Sequence, residues 1–231
     1  MLGRLGMGGG EPVESGMVSR AIEKAQKKVE SYHFEIRKNL LEYDEVMDRQ
    51  RHLIYQHRQE ALEDGDLEER IQMMFEEVVD AAVLDCSGDG RDVKMDFEAL
   101  DLWASRKWGW GRGPDPLSEA GEETPGRLLI EDVQSRYEER KAELGDVALR
   151  GLERFLVLNA IDSKWKDHLY TMDSLRQGIG LRSYAQVDPK NEYKREGLER
   201  FQELLASVAD EVTDYILKLQ IKDSLQRLNQ I

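Results

Sequence analysis

Apolar residues recur three or four positions apart over the first quarter of the chain, at Val18, Ile22, Ala25, Val29, Tyr32, Ile36, Leu40, Tyr43, Met47 and Ile54. That spacing repeats one face of an α-helix. It predicts a single amphipathic helix from Val18 to about Leu62, roughly 65 Å long at 1.5 Å per residue, against about 11–12 residues for an average helix. A helix of that length does not fit inside one compact core. It is a coiled coil or a strut along which other parts dock, and the polar break at Gln50 argues against a free coiled coil.

Asp64-Gly65-Asp66 stops this helix, and a second amphipathic face follows at Leu67, Ile71, Met74, Phe75, Val78 and Val79. Regularity then fails. Between Cys86 and Gly126 lie seven glycines, three prolines and Trp103, Trp108 and Trp110, with one brief helical run near Phe97, Leu100 and Trp103. From Arg127 to Leu144 helix returns, with Leu128, Leu129, Val133 and Tyr137 on one side. The last third is the most regular. Leu152, Phe155, Leu158, Trp165, Leu169, Met172, Leu175 and Ile179 line one helix, and Phe201, Leu204, Leu205, Val208, Val212, Tyr215 and Leu219 line another. Gly178 and Gly180 suit the end of the first, and Asp188-Pro189 reads as an N-cap followed by proline at the first helical position. The pattern is an antiparallel helical hairpin whose tip, GIGLRSYAQVDP, carries Leu181, Arg182, Tyr184 and Val187.

Composition agrees with an all-α fold. Charged residues make up 35% of the 231 positions and aromatics 7%, and none of the five prolines falls inside a predicted helix. A net charge of −14 argues against nucleic acid as the main partner, because phosphate binding needs concentrated positive charge. The single cysteine, Cys86, leaves no internal disulfide framework and fits a reducing compartment. No apolar run approaches the ~20 residues that span a bilayer, and MLGRLGMGGGEP lacks the apolar centre of a signal peptide. The expected location is cytoplasmic.

Candidate chemistry is sparse. Asp85, Ser87, Asp89, Gly90 and Asp96 fall on a calcium-loop template, but Asp92 occupies its apolar eighth position and the bidentate Glu is missing. His33, His52, His57 and His168 lack the spacing and the further thiol of a zinc set, and read as solvated or packed. Gly178 and Gly180 have no preceding strand and no third glycine for a phosphate loop. No Walker lysine motif or nucleophile–base signature occurs, so no catalytic residue, metal ligand or cofactor is expected in this chain. In EIRKNLLEYDEVMDRQR, Arg37, Asp44 and Arg51 repeat every seven residues beside the apolar stripe. A mixed face of that kind suits a partner domain.

Two long segments, AIEKAQKKVESYHFEIRKNLLEYDEVMDRQR and LNAIDSKWKDHLYTMDSLRQGIGLRSYAQVDPKNEYKRE, closely resemble the helical scaffold of the SecA family, the ATP-driven motors of bacterial preprotein translocation. The opening RLGMGGGEPVESGMVSRAI also resembles the junction leaving that family's second motor domain, and 85–126 is the part with no clear match. The resemblance implies a linker over 1–16, a long scaffold helix over 17–65, a helical wing over 66–142, scaffold continuation with a two-helix finger over 143–220, and a tail over 221–231. It implies that Tyr184, Arg182 and Leu181 contact the preprotein at the SecY channel, and that Arg37, Asp44 and Arg51 contact the motor domains. ATP and Mg would belong to those motor domains, which this chain does not contain, so it is expected not to be an enzyme on its own. The family works at the inner face of the bacterial cell membrane, which implies peripheral membrane contact. The expected reading is a SecA C-terminal part, either a fragment or a split or incomplete gene product; a passive helical scaffold or adaptor is the alternative.

Overall fold

A computed structural model of the chain describes residues 16–63, 67–87, 95–119, 124–182 and 188–219, with the side chains of 180–182 outside the description. Every regular element among the described residues is a helix. In order they are α1 (Gly16–Leu62), α2 (Leu67–Cys86), α3 (Phe97–Trp108), α4 (Pro114–Glu119), α5 (Pro125–Leu144), α6 (Asp146–Arg182) and α7 (Pro189–Ile216). The chain divides into two compact units, 1–49 and 50–231.

In the first unit the described residues all belong to α1, which ends at Leu62 as the apolar spacing predicts. Neither glycine nor proline interrupts it between Met17 and Leu62. Along its solvated face Lys27 pairs with Glu23 at 2.7 Å and Arg49 with Glu45 at 2.5 Å, both four residues apart. Such pairs contribute only about 0.3–0.5 kcal/mol each.

The second unit is a multi-helix body built on α6 and α7. These run antiparallel: Lys164 meets Glu211 at 2.9 Å, His168 meets the Phe201 ring, and the chain order is reversed between the two helices. Leu152, Leu156, Val157, Ala160 and Ile161 on α6 are buried, as are Phe201, Leu204, Val208, Val212 and Ile216 on α7. The predicted seam is narrower than the sequence suggests. Met172 and Ile179 are buried, whereas Leu169 is 38% exposed and Trp165 is only half-buried, because a 3.6-residue period drifts around the helix over eight turns. The helix also runs through Gly178 and Gly180 to Arg182 instead of ending at the glycines. At the start of α7 the expected cap is present: Asp188 Oδ1 accepts from the Lys190 amide at 3.0 Å and Pro189 occupies the first turn.

Against this hairpin pack the buried face of α2, from Leu67 to Ala82, and Leu129, Val133 and Tyr137 of α5. Gly145 joins α5 to α6 at φ 76°, a conformation that a side chain would strain. The turn brings Tyr137 beside Glu153, whose carboxylate accepts the phenol's hydrogen bond in a buried setting.

The Trp-rich segment, expected to be mostly irregular, is more ordered. Pro114 opens α4 and Pro125 opens α5, both in first turns where no amide hydrogen is missed. Asp96, one member of the calcium template, instead caps α3 by accepting from the Ala99 amide at 2.9 Å; Asp89 and Gly90 lie outside the described residues. Trp108 is edge-on to Phe75 and Trp103 and stacks on Trp110 at 5.5 Å, and Arg136 covers Trp110 at 4.3 Å. Arg112 grips both carboxylate oxygens of Asp132 at 2.7 Å. Trp108 Nε1 donates to Thr213 O at 3.1 Å, and Lys107 Nζ donates to Asp210 O and Oδ1 at 2.9 and 2.6 Å. Trp108 and Lys107 therefore fasten α3 to α7, and the three tryptophans pack on one another.

Candidate functional site

The feature that most needs a partner lies on α1 in the first unit. Ile22, Val29, Tyr32, Ile36 and Leu40 are 53%, 54%, 65%, 46% and 44% exposed. At 100° per residue they fall within about 80° of arc, so they form one stripe and are not scattered single residues. Isolated exposed apolar side chains need no explanation, but a contiguous stripe marks a contact surface. Arg37 and Asp44 are exposed beside it, and Arg51 is exposed further along the same helix. Asp44 already takes part in an interaction within the chain.

At Gln50 the second unit begins, and the stripe's polar interruption turns out to be a buried joint. Gln50 is 6% exposed and His168 5%. Gln50 Nε2 donates to Gly197 O at 2.8 Å, and Gln50 Oε1 faces His168 Nε2 at 2.9 Å. The His168 ring stacks on Trp165 at 5.6 Å and meets Phe201 edge-on. Burial pushes its pKa below the ordinary 6.5. From the sequence Gln50 reads as an imperfection and His168 as a solvated or packed histidine; nothing in the apolar period shows that the two are partners 118 residues apart.

The hairpin tip is not placed. Tyr184 and the side chains of Leu181 and Arg182 lie outside the described residues. A surface groove of about 750 Å³ runs between α2 and α7, with Val78, Ala82 and Leu205 beside Glu77, Asp85, Asp210, Glu211 and Asp214. Three of those carboxylates are engaged by Lys107, Lys164 and Lys218. Among the described residues no group of three or more His, Cys, Asp or Glu side chains is placed to hold a metal ion, and no helix is long and apolar enough to cross a membrane.

Residues 12–220 match the profile of the SecA Wing and Scaffold domain. The chain belongs to this SecA family. Similar proteins include the protein translocase subunits SecA of Leifsonia xyli subsp. xyli (40% identical), Carboxydothermus hydrogenoformans (39%) and Kineococcus radiotolerans (42%). The matches cover 96%, 96% and 97% of this chain but only 24%, 26% and 26% of those relatives. The chain thus spans about a quarter of the length of the SecA proteins it matches.

Proposed function

We propose that this chain serves as the scaffold and wing segment of a SecA-type motor in protein translocation, coupling ATP-driven movement of motor domains to a preprotein at the SecY channel. The apolar stripe on α1 carries the reading. A stripe left half-exposed over some five helical turns is a docking surface, and SecA relatives contain about three times as much additional chain to fill it. In this assignment Arg37, Asp44 and Arg51 flank the motor contact. The finger is the α6–α7 hairpin, and Leu181, Arg182 and Tyr184 at its tip touch the preprotein. An aromatic ring there offers large contact area with few rotatable bonds, which suits a sequence-tolerant grip. ATP and Mg belong to the motor domains, and the location is the cytoplasmic face of the bacterial membrane, held peripherally.

The test is titration of the chain into the motor domains of a SecA relative from which the wing and scaffold have been removed. The proposal expects saturable binding and a change in ATP turnover. Neither effect would be seen for a passive adaptor unrelated to a motor.

A further inference from the structure

In the second unit, residues 50–62 of α1 meet the body through Ile54 and Ala61, which are 1% and 0% exposed. Both positions, with Met47 before them, repeat at intervals of seven. Apolar contact is non-directional, so at these two positions a seven-residue slide of α1 is resisted only by the difference in size between Ile54 and Ala61. The buried amide does not tolerate it. Gln50 commits Nε2 to the Gly197 carbonyl, so Oε1 must accept, and His168 must donate from Nε2 across the 2.9 Å contact. Displacing α1 by seven residues, about 10 Å, takes the Gln50 amide away from its partners and leaves the buried His168 N–H without an acceptor, a penalty of a different kind from a mismatch of apolar size. A single buried polar residue fixes helix register in this way at some expense in stability.

We infer that Gln50 is the register key of α1, a positioning residue that, through His168 and Gly197, admits one alignment of the helix on the α6–α7 hairpin. The inference rests on the proposed role of α1 as a strut: a strut transmits displacement only if it cannot slip on the element it drives. His168 is held for this task from three sides, by Gln50, by the Trp165 face and by the Phe201 edge.

The experiment uses the full chain with Cys86→Ala and spin labels at Tyr55→Cys on α1 and Ser163→Cys on α6, both exposed positions. With Gln50 present, one narrow distance is expected. Gln50→Leu should broaden it or move it by up to about 10 Å, the length of a seven-residue slide. His168→Gln can still donate to Gln50 Oε1 and should keep the single distance. An unchanged narrow distance in Gln50→Leu would overturn the inference and leave an ordinary structural hydrogen bond. Should Gln50→Leu fail to fold, the two-bond proton–nitrogen spectrum of the unsubstituted chain at pH 7.5 decides: the Nε2–H tautomer of His168 supports the key, and the Nδ1–H tautomer overturns it. Motor-domain binding is read separately by titration, so failure of the scaffold assignment and failure of the register key are distinguishable.

Discussion

Replacing Ile22, Tyr32 and Ile36 together by serine should abolish most docking while leaving the helix intact. The three side chains are 53%, 65% and 46% exposed. Full burial of such side chains is worth about 1.5–3 kcal/mol each, and roughly half of each remains to be buried by a partner. The triple variant therefore forfeits about 3 kcal/mol of docking energy, or roughly a hundredfold in affinity at about 1.4 kcal/mol per factor of ten. Folding should barely respond, because serine and isoleucine have similar helix propensity and exposed substitutions usually stay within about 0.5 kcal/mol. Leu41, 68% exposed, supplies the comparison: it lies about 100° around the helix from Ile22, on the side of Arg37 and Asp44 rather than in the stripe, so Leu41→Ser should cost markedly less affinity than the triple variant. Calorimetric titration against SecA motor domains measures both, with helicity followed by circular dichroism. Unchanged affinity in the triple variant, or an equal loss in Leu41→Ser, would refute the stripe as the docking surface.

Three further outcomes follow from the second unit. Burial, with the nearby Glu68 carboxylate adding to it, raises the Glu153 pKa from its ordinary 4.5; the folded chain then binds more protons than the unfolded one in the window above 4.5, so this contribution is full below that window and is lost as pH rises through it. Glu153→Gln, which still accepts from Tyr137, should flatten that slope in urea melts recorded from pH 4 to 8, and an unaltered slope would show that Glu153 is not its source. His168 has the opposite sign: its lowered pKa makes stability complete above about 6.5 and diminishing below it, a decline that His168→Gln should reduce in the same melts. Trp108→Phe loses the hydrogen bond to Thr213 O and part of the ring packing, which should cost about 2 kcal/mol and lower the thermal midpoint by several degrees; an unshifted midpoint would mean that α3 is not fastened there.

The helices were legible because their causes are local. The end of α1 at Leu62 follows from an apolar period, and the start of α7 follows from Asp188 and Pro189, whose capping role needs only the next two residues. What escaped was long-range. Gln50 looked like a flaw because its partners, His168 and Gly197, lie 118 and 147 positions away, and no periodicity encodes a hydrogen bond between helices. The Trp103, Trp108 and Trp110 cluster looked irregular because Gly109, Gly111 and Gly113 crowd the end of the helix that stops at Trp108, where Gly109 adopts φ 81° as a C-cap. Leu169 misled in the other direction: it continues an apolar list, yet the turn of α6 carries it out of the seam. The SecA resemblance rested on long ordered motifs and the family match covers them, whereas Tyr184 lies outside the described residues and its role comes from that resemblance alone.

The most direct test of the coupling claim is a chimeric motor. Residues 12–220 replace the wing and scaffold of a SecA relative, and preprotein moved into SecY-containing vesicles is measured per ATP hydrolysed, with and without Tyr184→Ala. The account predicts ATP-dependent translocation by the chimera, and a Tyr184→Ala variant that hydrolyses ATP but moves markedly less preprotein per ATP. A properly folded chimera that hydrolyses ATP without moving preprotein, or a Tyr184→Ala variant with unchanged yield per ATP, would contradict it.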